Sequence, residues 1–269
     1  MKVVLFCGGQ GTRLRDYSDQ IPKPLVPVGN LPILWHMMKY YAAYGHKDFI
    51  LCLGYKGEAI KRFFLEYNAA MSNDFVLENG GARLDQPVEP DIRDWRITFV
   101  DTGPNTNIGG RLLRVRKYLE NEEMFLANYA DILTDLDLDE MIGKFRASDA
   151  IGGFCAVTPP YSFHLVKLRE GGKVERMMSL QESGTLMNGG YLVLRPQIFD
   201  NLFEGEELVV EGFSRLVAQN RLYAHWHDGF WMPMDTFKEK QALDDMILRG
   251  DTPWQVWKAR RPYAQPKVA

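Results

Sequence analysis

The residues best suited to chemistry lie near the start of the chain. Val3-Val4-Leu5-Phe6-Cys7 is an apolar run, followed at once by Gly8-Gly9-Gln10-Gly11-Thr12-Arg13-Leu14. Glycines at the end of a buried strand let the backbone approach phosphate oxygens and aim N–H groups at them. Two familiar phosphate loops do not fit. A P-loop needs Gly-Lys-Ser/Thr after four spacer residues, and none is present. A dinucleotide fingerprint starting at Gly9 needs a third glycine where Leu14 stands. It also needs an immediate helix, which Pro22, Pro24 and Pro27 forbid. What remains is a glycine turn with two cations. Arg13 can fork onto two phosphate oxygens, and Lys23 is a point charge held between Pro22 and Pro24. On these residues alone, a tight turn with solvated charges stays open.

The acids give a second set of candidates. Asp131 follows the apolar run Met124–Asn128, and Asp235 lies in Trp231-Met232-Pro233-Met234-Asp235. Two carboxylates from distant segments suit Mg²⁺, which takes one or two of them plus phosphate oxygens and water. For Asp131 alone, a helix N-cap is the competing role. Asp135, Asp137, Asp139 and Glu140 imitate a calcium loop, but Glu140 stands where its glycine belongs and Arg146 where its glutamate belongs. They read instead as the cap and first turn of a helix. His225 and His227 share a strand face without an evident third ligand, and no Ser/His/Asp or Cys/His arrangement is apparent.

Short apolar runs alternating with helical spacing predict βαβ units around a mainly parallel sheet. Strands are expected at Val3–Cys7, Phe49–Leu53, Ile97–Val100 and Met124–Asn128. Helices are expected at Leu34–Tyr44, Glu58–Leu65, Leu112–Leu119 and Leu138–Ala147. The second half is richer in strands (Ile151–Val157, Phe163–Leu168, Val174–Ser179, Gly190–Leu194), with helices at Leu208–Ala218 and Phe237–Leu248. Asn68–Asp94 is long and polar, a functional loop or an insertion. The fold class is therefore α/β: a Rossmann-like, mainly parallel mixed sheet flanked by helices, with a small additional β-rich region. One domain spans 1–269, divided into a first half (1–135), a second half (136–235) and a C-terminal helical segment (236–269).

Composition closes off several classes. The 269 residues carry a net charge of −3, which argues against an electrostatic nucleic-acid binder. Cys7, Cys52 and Cys155 sit in apolar runs, as core residues of a reduced cytoplasmic protein would. No apolar stretch approaches the roughly 20 residues that cross a bilayer, so no membrane partner is expected.

The glycine turn with Pro22-Lys23-Pro24-Leu25 resembles the signature of the sugar-1-phosphate nucleotidylyltransferases. Five further segments resemble the glucose-1-phosphate cytidylyltransferase branch: Pro32–His36, Gly54–Gly57, Asp101-Thr102-Gly103 with Gly109-Gly110-Arg111-Leu112, Asn188-Gly189-Gly190 and Phe230–Thr236. The resemblance implies transfer of a cytidylyl group from CTP to a phosphorylated sugar or sugar-like acceptor, with pyrophosphate leaving. It implies Mg²⁺ on Asp131 and Asp235, and Arg13, Lys23 and Asp131 as catalytic residues. Phe6, Cys7, Gly8, Gly9, Gln10, Gly11, Thr12, Arg13, Lys23, Thr106, Gly110 and Arg111 would bind nucleotide. Tyr129, Ala130, Glu182, Asn188 and Gly189 would bind acceptor, and the chain would form a homo-oligomer.

Three departures fall on the acceptor side, the first being Tyr161-Ser162-Phe163-His164, which differs from the family's usual glycine-containing pattern. Ala130-Asp131-Ile132 replaces the family's Gly-Asp-Gly, which narrows the space beside the metal acid. Gln181-Glu182-Ser183 replaces its Glu-Lys-Pro, removing the lysine that neutralises the sugar's phosphate, with Lys167 or Lys173 as candidate substitutes. Glucose 1-phosphate is therefore not expected to be the physiological acceptor. The missing lysine also motivates a rival, a catalytically weak homologue that binds nucleotide sugars as a regulator.

Overall fold

The computed structural model describes residues 1–9, 11, 21–68, 76–79, 83–85 and 92–260. Seven strands form one sheet: β1 (Lys2–Phe6), β2 (Asp48–Leu53), β3 (Arg96–Asp101), β4 (Phe125–Asn128), β5 (Gly152–Val157), β6 (Met187–Leu194) and β7 (Leu222–His227). Their order is β7-β5-β6-β4-β1-β2-β3. Only β6 runs against its neighbours β5 and β4; every other pairing is parallel.

The apolar strands are buried on both faces, as parallel strands covered by helices must be. Alternation divides their side chains between two cores. Val3 and Leu5 join α1 (Ile33–Ala43), α2 (Gly57–Leu65) and α4 (Leu138–Ala147) on one face. Val4 and Phe6 join α3 (Ile108–Val115) and α5 (Phe213–Ala218) on the other. The helix α6 (Phe237–Arg249) adds Leu243 and Met246 to the first core. Cys7, Cys52 and Cys155 are free and buried, in keeping with core roles.

Several boundaries differ from the sequence pattern. The helix expected at Leu112 begins four residues earlier, because Asn107 caps it by accepting from the Gly110 N–H at 2.8 Å. Gly109 and Gly110 hid that first turn by carrying no apolar signal. The expected helix end is a 3₁₀ turn, Arg116–Tyr118, and Leu208–Gly212 is a π turn ahead of α5. The polar stretch Asn68–Asp94 contains an antiparallel pair, Val76–Glu78 with Arg83–Asp85; its other described residues are Asn79 and those at its two ends. Two further ribbons matter below: His164–Leu168 with Val174–Ser179, and Ile132–Thr134 with Trp231–Pro233.

Candidate active site

β1 pairs with β2 on one side and β4 on the other, so strand order reverses between β1 and β4. Open α/β sheets bind ligands at the carboxyl end of such a switch point. Here that position holds a cleft of about 710 Å³, lined by Phe6 and Gly9 after β1, by 104–108 and Arg111 after β3, and by Tyr129 and Asp131 after β4. A side pocket of about 190 Å³ adjoins it, walled by Gly9, Gly11, Lys23, Pro24 and Ala130. Gln10, Thr12 and Arg13 lie outside the described residues.

Asp131 and Asp235 are 104 residues apart in sequence and meet through backbone register. The ribbon pairs Ile132 with Pro233, and the Met234 N–H donates to the Asp131 carbonyl at 2.9 Å. On its other side Asp235 is fixed by a capping box. Thr236 accepts from the Glu239 N–H, while Glu239 Oε2 accepts from the Asp235 and Thr236 N–H groups at 2.7 and 2.8 Å. Ala130, immediately before Asp131, is fully buried at φ 64°. An L-residue there bears left-handed strain of about 1–2 kcal/mol.

Lys23 closes the triangle. It begins a single 3₁₀ turn, Lys23–Leu25, whose path Pro22 and Pro24 restrict. Its Nζ donates to Asp131 Oδ2 and to Asp235 Oδ1, each at 2.6 Å. Burial works against the ammonium, but the two carboxylates outweigh it and hold Lys23 above its ordinary pKa. Two carboxylate oxygens converging on one cation are the donor set that Mg²⁺ accepts, with phosphate and water completing its shell.

Arg111 is spent on the fold. Only 2% exposed, it donates through Nη1 to the Leu53 carbonyl (3.1 Å) and Thr102 Oγ1 (2.7 Å), and through Nη2 to the Gly8 carbonyl (2.9 Å). These acceptors sit at the ends of β1, β2 and β3, so one guanidinium ties three loops together. A Cβ at Gly8 would fall 1.9 Å from Nη1, and one at Gly54 would meet Nη1 at 2.8 Å and the Gly8 carbonyl at 2.7 Å. Burial lowers the Arg111 pKa, yet a guanidinium stays charged. Its positive charge thus underlies the glycine turn. Thr106 lines the cleft, whereas Cys7 is buried with its N–H donated to the Cys52 carbonyl. Gly110 contributes its N–H to the α3 cap.

On the acceptor side the sequence reading is divided. Tyr129 and Asn188 line the cleft, and Ala130 lines the side pocket. Burial, then the charges of Glu207 and Asp131, push the Tyr129 phenol up to about 12. Gly189 does not line the cleft; its carbonyl accepts from Nε1 of Trp231, a lining residue, at 2.8 Å. Glu182 is exposed in a 3₁₀ turn, where it accepts from the Ser179 N–H, and does not line the cleft. Lys167 pairs with Glu175 along the exposed ribbon at 3.1 Å, and Lys173 is in that ribbon's turn. Neither lysine lines the cleft.

Trp231, Glu207 and Asn107 are lining residues that the sequence did not single out as ligands. Trp231 lies within Phe230–Thr236 and Asn107 precedes Gly109-Gly110, so both left a local signal. Glu207 left none. His227 clasps Asp135 at 3.1 Å, and no cluster of three metal-ligating side chains occurs among the described residues. Asp137 caps α4, as the acidic run suggested.

Comparison with known proteins agrees with this geometry. Residues 2–238 match the nucleotidyl transferase family. The chain is 39% identical over 266 residues to the glucose-1-phosphate cytidylyltransferase of Salmonella typhimurium, and 38% identical to that of Salmonella typhi. Each alignment covers 96% of this chain and all of the relative. Among solved structures, a UDP-glucose pyrophosphorylase complexed with UDP-glucose superposes with a TM-score of 0.68 at 14% identity, covering 93% of this chain and 98% of that one. HddC from Yersinia pseudotuberculosis gives 0.63 at 19%, covering 91% and 99%. These distant structures speak for the fold, and the closer sequences speak for the family. The chain belongs to the nucleotidyl transferase family, among the sugar-1-phosphate nucleotidyltransferases.

Proposed function

We propose that this enzyme joins CTP and a sugar phosphate into a CDP-linked sugar, releasing pyrophosphate. The observation that carries the reading is the convergence of Asp131, Asp235 and Lys23 at the switch-point cleft beside the glycine turn. The near-full-length identity to cytidylyltransferases supports the choice of nucleotide.

A sugar phosphate is already largely ionised at neutral pH, its second pKa lying near 6, so no general base is required. One of its oxygens attacks the α-phosphorus in line; the new O–P bond forms as the bond to the β-phosphate oxygen breaks. Catalysis is then positioning and charge neutralisation. Asp131 and Asp235 would hold Mg²⁺, which would neutralise triphosphate charge. Gly9 and Gly11 present backbone to the phosphates, Arg13 and Lys23 supply cations, and Arg111 fixes the loop ends. Residues 1–135 would chiefly serve the nucleotide and 136–235 the acceptor, with α6 buttressing Asp235. The buried free cysteines support a reducing, cytoplasmic setting.

The reading extends to the acceptor. Among the described residues lining the cleft and side pocket, the basic side chains are Lys23 and Arg111, both engaged within the protein. Without the family's lysine, glucose 1-phosphate should bind about tenfold or more weakly, since a charged hydrogen bond is worth about 1.5–3 kcal/mol. Two steady-state measurements test these statements. CTP should exceed UTP, dTTP and ATP in kcat/KM, and a purine or thymidine preference would refute the choice of nucleotide. A KM for glucose 1-phosphate below about 1 mM, the usual enzyme range, would refute the acceptor argument.

A further inference from the structure

Three acids, Glu206, Glu207 and Glu211, stand together at the π turn before α5, and the fold consumes two of them. Arg215 donates from Nη1 to Glu206 Oε2 at 2.6 Å and from Nη2 to Glu206 Oε1. Glu211 turns its carboxylate back to accept from the Glu207 N–H at 2.8 Å. The Glu207 carbonyl accepts in turn from the Glu211 and Gly212 N–H groups at 3.2 and 3.3 Å. Glu207 is therefore clamped by its backbone. Its carboxylate makes no hydrogen bond or salt bridge among the described residues, and the residue lines the cleft. The turn is anchored as well. Asn107 Nδ2 donates to the Gly205 carbonyl at 3.0 Å, and a Cβ at Gly109 would fall 2.1 Å from the Glu206 carbonyl. Single π turns of this kind concentrate at functional sites.

Charge and place decide what that carboxylate faces. Phosphate oxygens would repel it, because the basic side chains described in the cleft and side pocket, Lys23 and Arg111, are engaged elsewhere. It must meet a donor without negative charge. The glycine turn and Lys23 draw the triphosphate to the end of β1, which leaves the ends of β4 and β6 for the acceptor. Glu207 lies on that side. The Tyr129 phenol, just after β4, feels the Glu207 charge and hydrogen-bonds to the Asn188 side chain at the start of β6. A carboxylate offers two oxygens that only accept, which suits sugar hydroxyls. The resemblance gave an acceptor role to Glu182, which is exposed and outside the cleft.

We propose that Glu207 is the specificity-determining carboxylate of the acceptor subsite, accepting hydrogen bonds from hydroxyls on the acceptor's ring. The acceptor is then a neutral, hydroxyl-bearing sugar phosphate and not an acidic one, whose carboxylate Glu207 would repel. This inference rests on the sugar-phosphate reading above, and the experiment separates the two.

Pyrophosphate release by the full-length chain is measured with CTP and the 1-phosphates of glucose, galactose and mannose. The best substrate is then compared with its four monodeoxy analogues. Glu207→Gln is expected to lower kcat/KM for the sugar phosphate at least about tenfold, while KM for CTP moves by less than about twofold. One monodeoxy analogue should cost the wild type at least about tenfold and cost Glu207→Gln almost nothing, since the same bond is already lost. Thermal melts check folding, which the substitution should not disturb because the fold bonds only the Glu207 backbone; Glu207→Ala repeats the measurement if it does. Unchanged acceptor kcat/KM in a folded variant would overturn the inference. So would a loss that falls on KM for CTP or on the CTP-to-UTP ratio, which would place Glu207 against the nucleotide. A wild type that turns over none of the three sugar phosphates would overturn the sugar-phosphate reading, and the inference with it.

Discussion

Gly8 and Arg111 show how a single side chain can police a whole loop. The guanidinium packs where the Gly8 Cβ would be, and it serves three acceptors at the ends of β1, β2 and β3. Gly8→Ala must expel it, stranding buried carbonyls at about 1–3 kcal/mol each. We expect a loss of about 3 kcal/mol or more in urea denaturation; a loss under 1 kcal/mol would mean that Arg111 is not held there. Asp131 acts differently, since it is partly solvent-exposed and its role is charge. Asp131→Asn should keep the fold, because the backbone register that places it is untouched. Turnover should drop at least about a hundredfold, metal-held charge neutralisation being worth several kcal/mol. Activity within threefold of wild type, at unchanged Mg²⁺ dependence, would remove Asp131 from the site.

At the scale of elements, the ribbon Ile132–Thr134/Trp231–Pro233 carries both acids, and its open end is clasped by His227 and Asp135. Burial lowers the His227 pKa, but Asp135 and the Phe230 carbonyl more than compensate, leaving it raised above 6.5. A histidine whose folded pKa is raised contributes stability that is fully present below its unfolded pKa of about 6.5. That contribution fades as pH rises through the folded value. Asp228 adds to the raising field. His227→Gln should therefore lower Tm more at pH 6 than at pH 9. An equal loss at both would show that the clasp is not ionic. The neighbouring capping box holds Asp235 through backbone hydrogen bonds that do not depend on this titration.

For the whole molecule, the outstanding feature is the ribbon His164–Leu168/Val174–Ser179. All but the last two of its strand residues are exposed, and Val166, Leu168, Val174 and Met177 are each more than half exposed. A lone two-stranded hairpin is marginal in water, and apolar side chains on such a hairpin fit an interface between copies of the chain. With the homo-oligomer that the family resemblance implies, we expect light scattering to give a mass above that of one chain. Replacing Val166 and Met177 by glutamate should dissociate the assembly while the sheet core keeps its melting temperature. A monomeric wild type would refute this assignment of the ribbon. The described helices include none long and apolar enough to cross a membrane.

The parts of this protein legible in the sequence are those set by local physics. Unbroken apolar runs announced the buried parallel strands, helical spacing announced α1, α2, α4 and α6, and of the glycine run and the Pro22-Lys23-Pro24 segment, Gly9, Gly11, Lys23 and Pro24 line the side pocket. The acids Asp131 and Asp235 were paired in the sequence only through the family resemblance; their meeting depends on the register between Asp131 and Met234 across 103 residues, which no local pattern encodes. The same holds for Arg111, which as a bare residue suggests a ligand contact and in the fold is consumed by three loop ends. Glu182 is exposed in its 3₁₀ turn and is not among the residues that line the cleft. Glu207 reaches the cleft through a π turn with no periodic signature. Lys23 is the clearest case. Its prolines fix its backbone from sequence alone, but only packing decides that its charge rests between two carboxylates, because Coulomb energy depends on distance and local strings do not encode it.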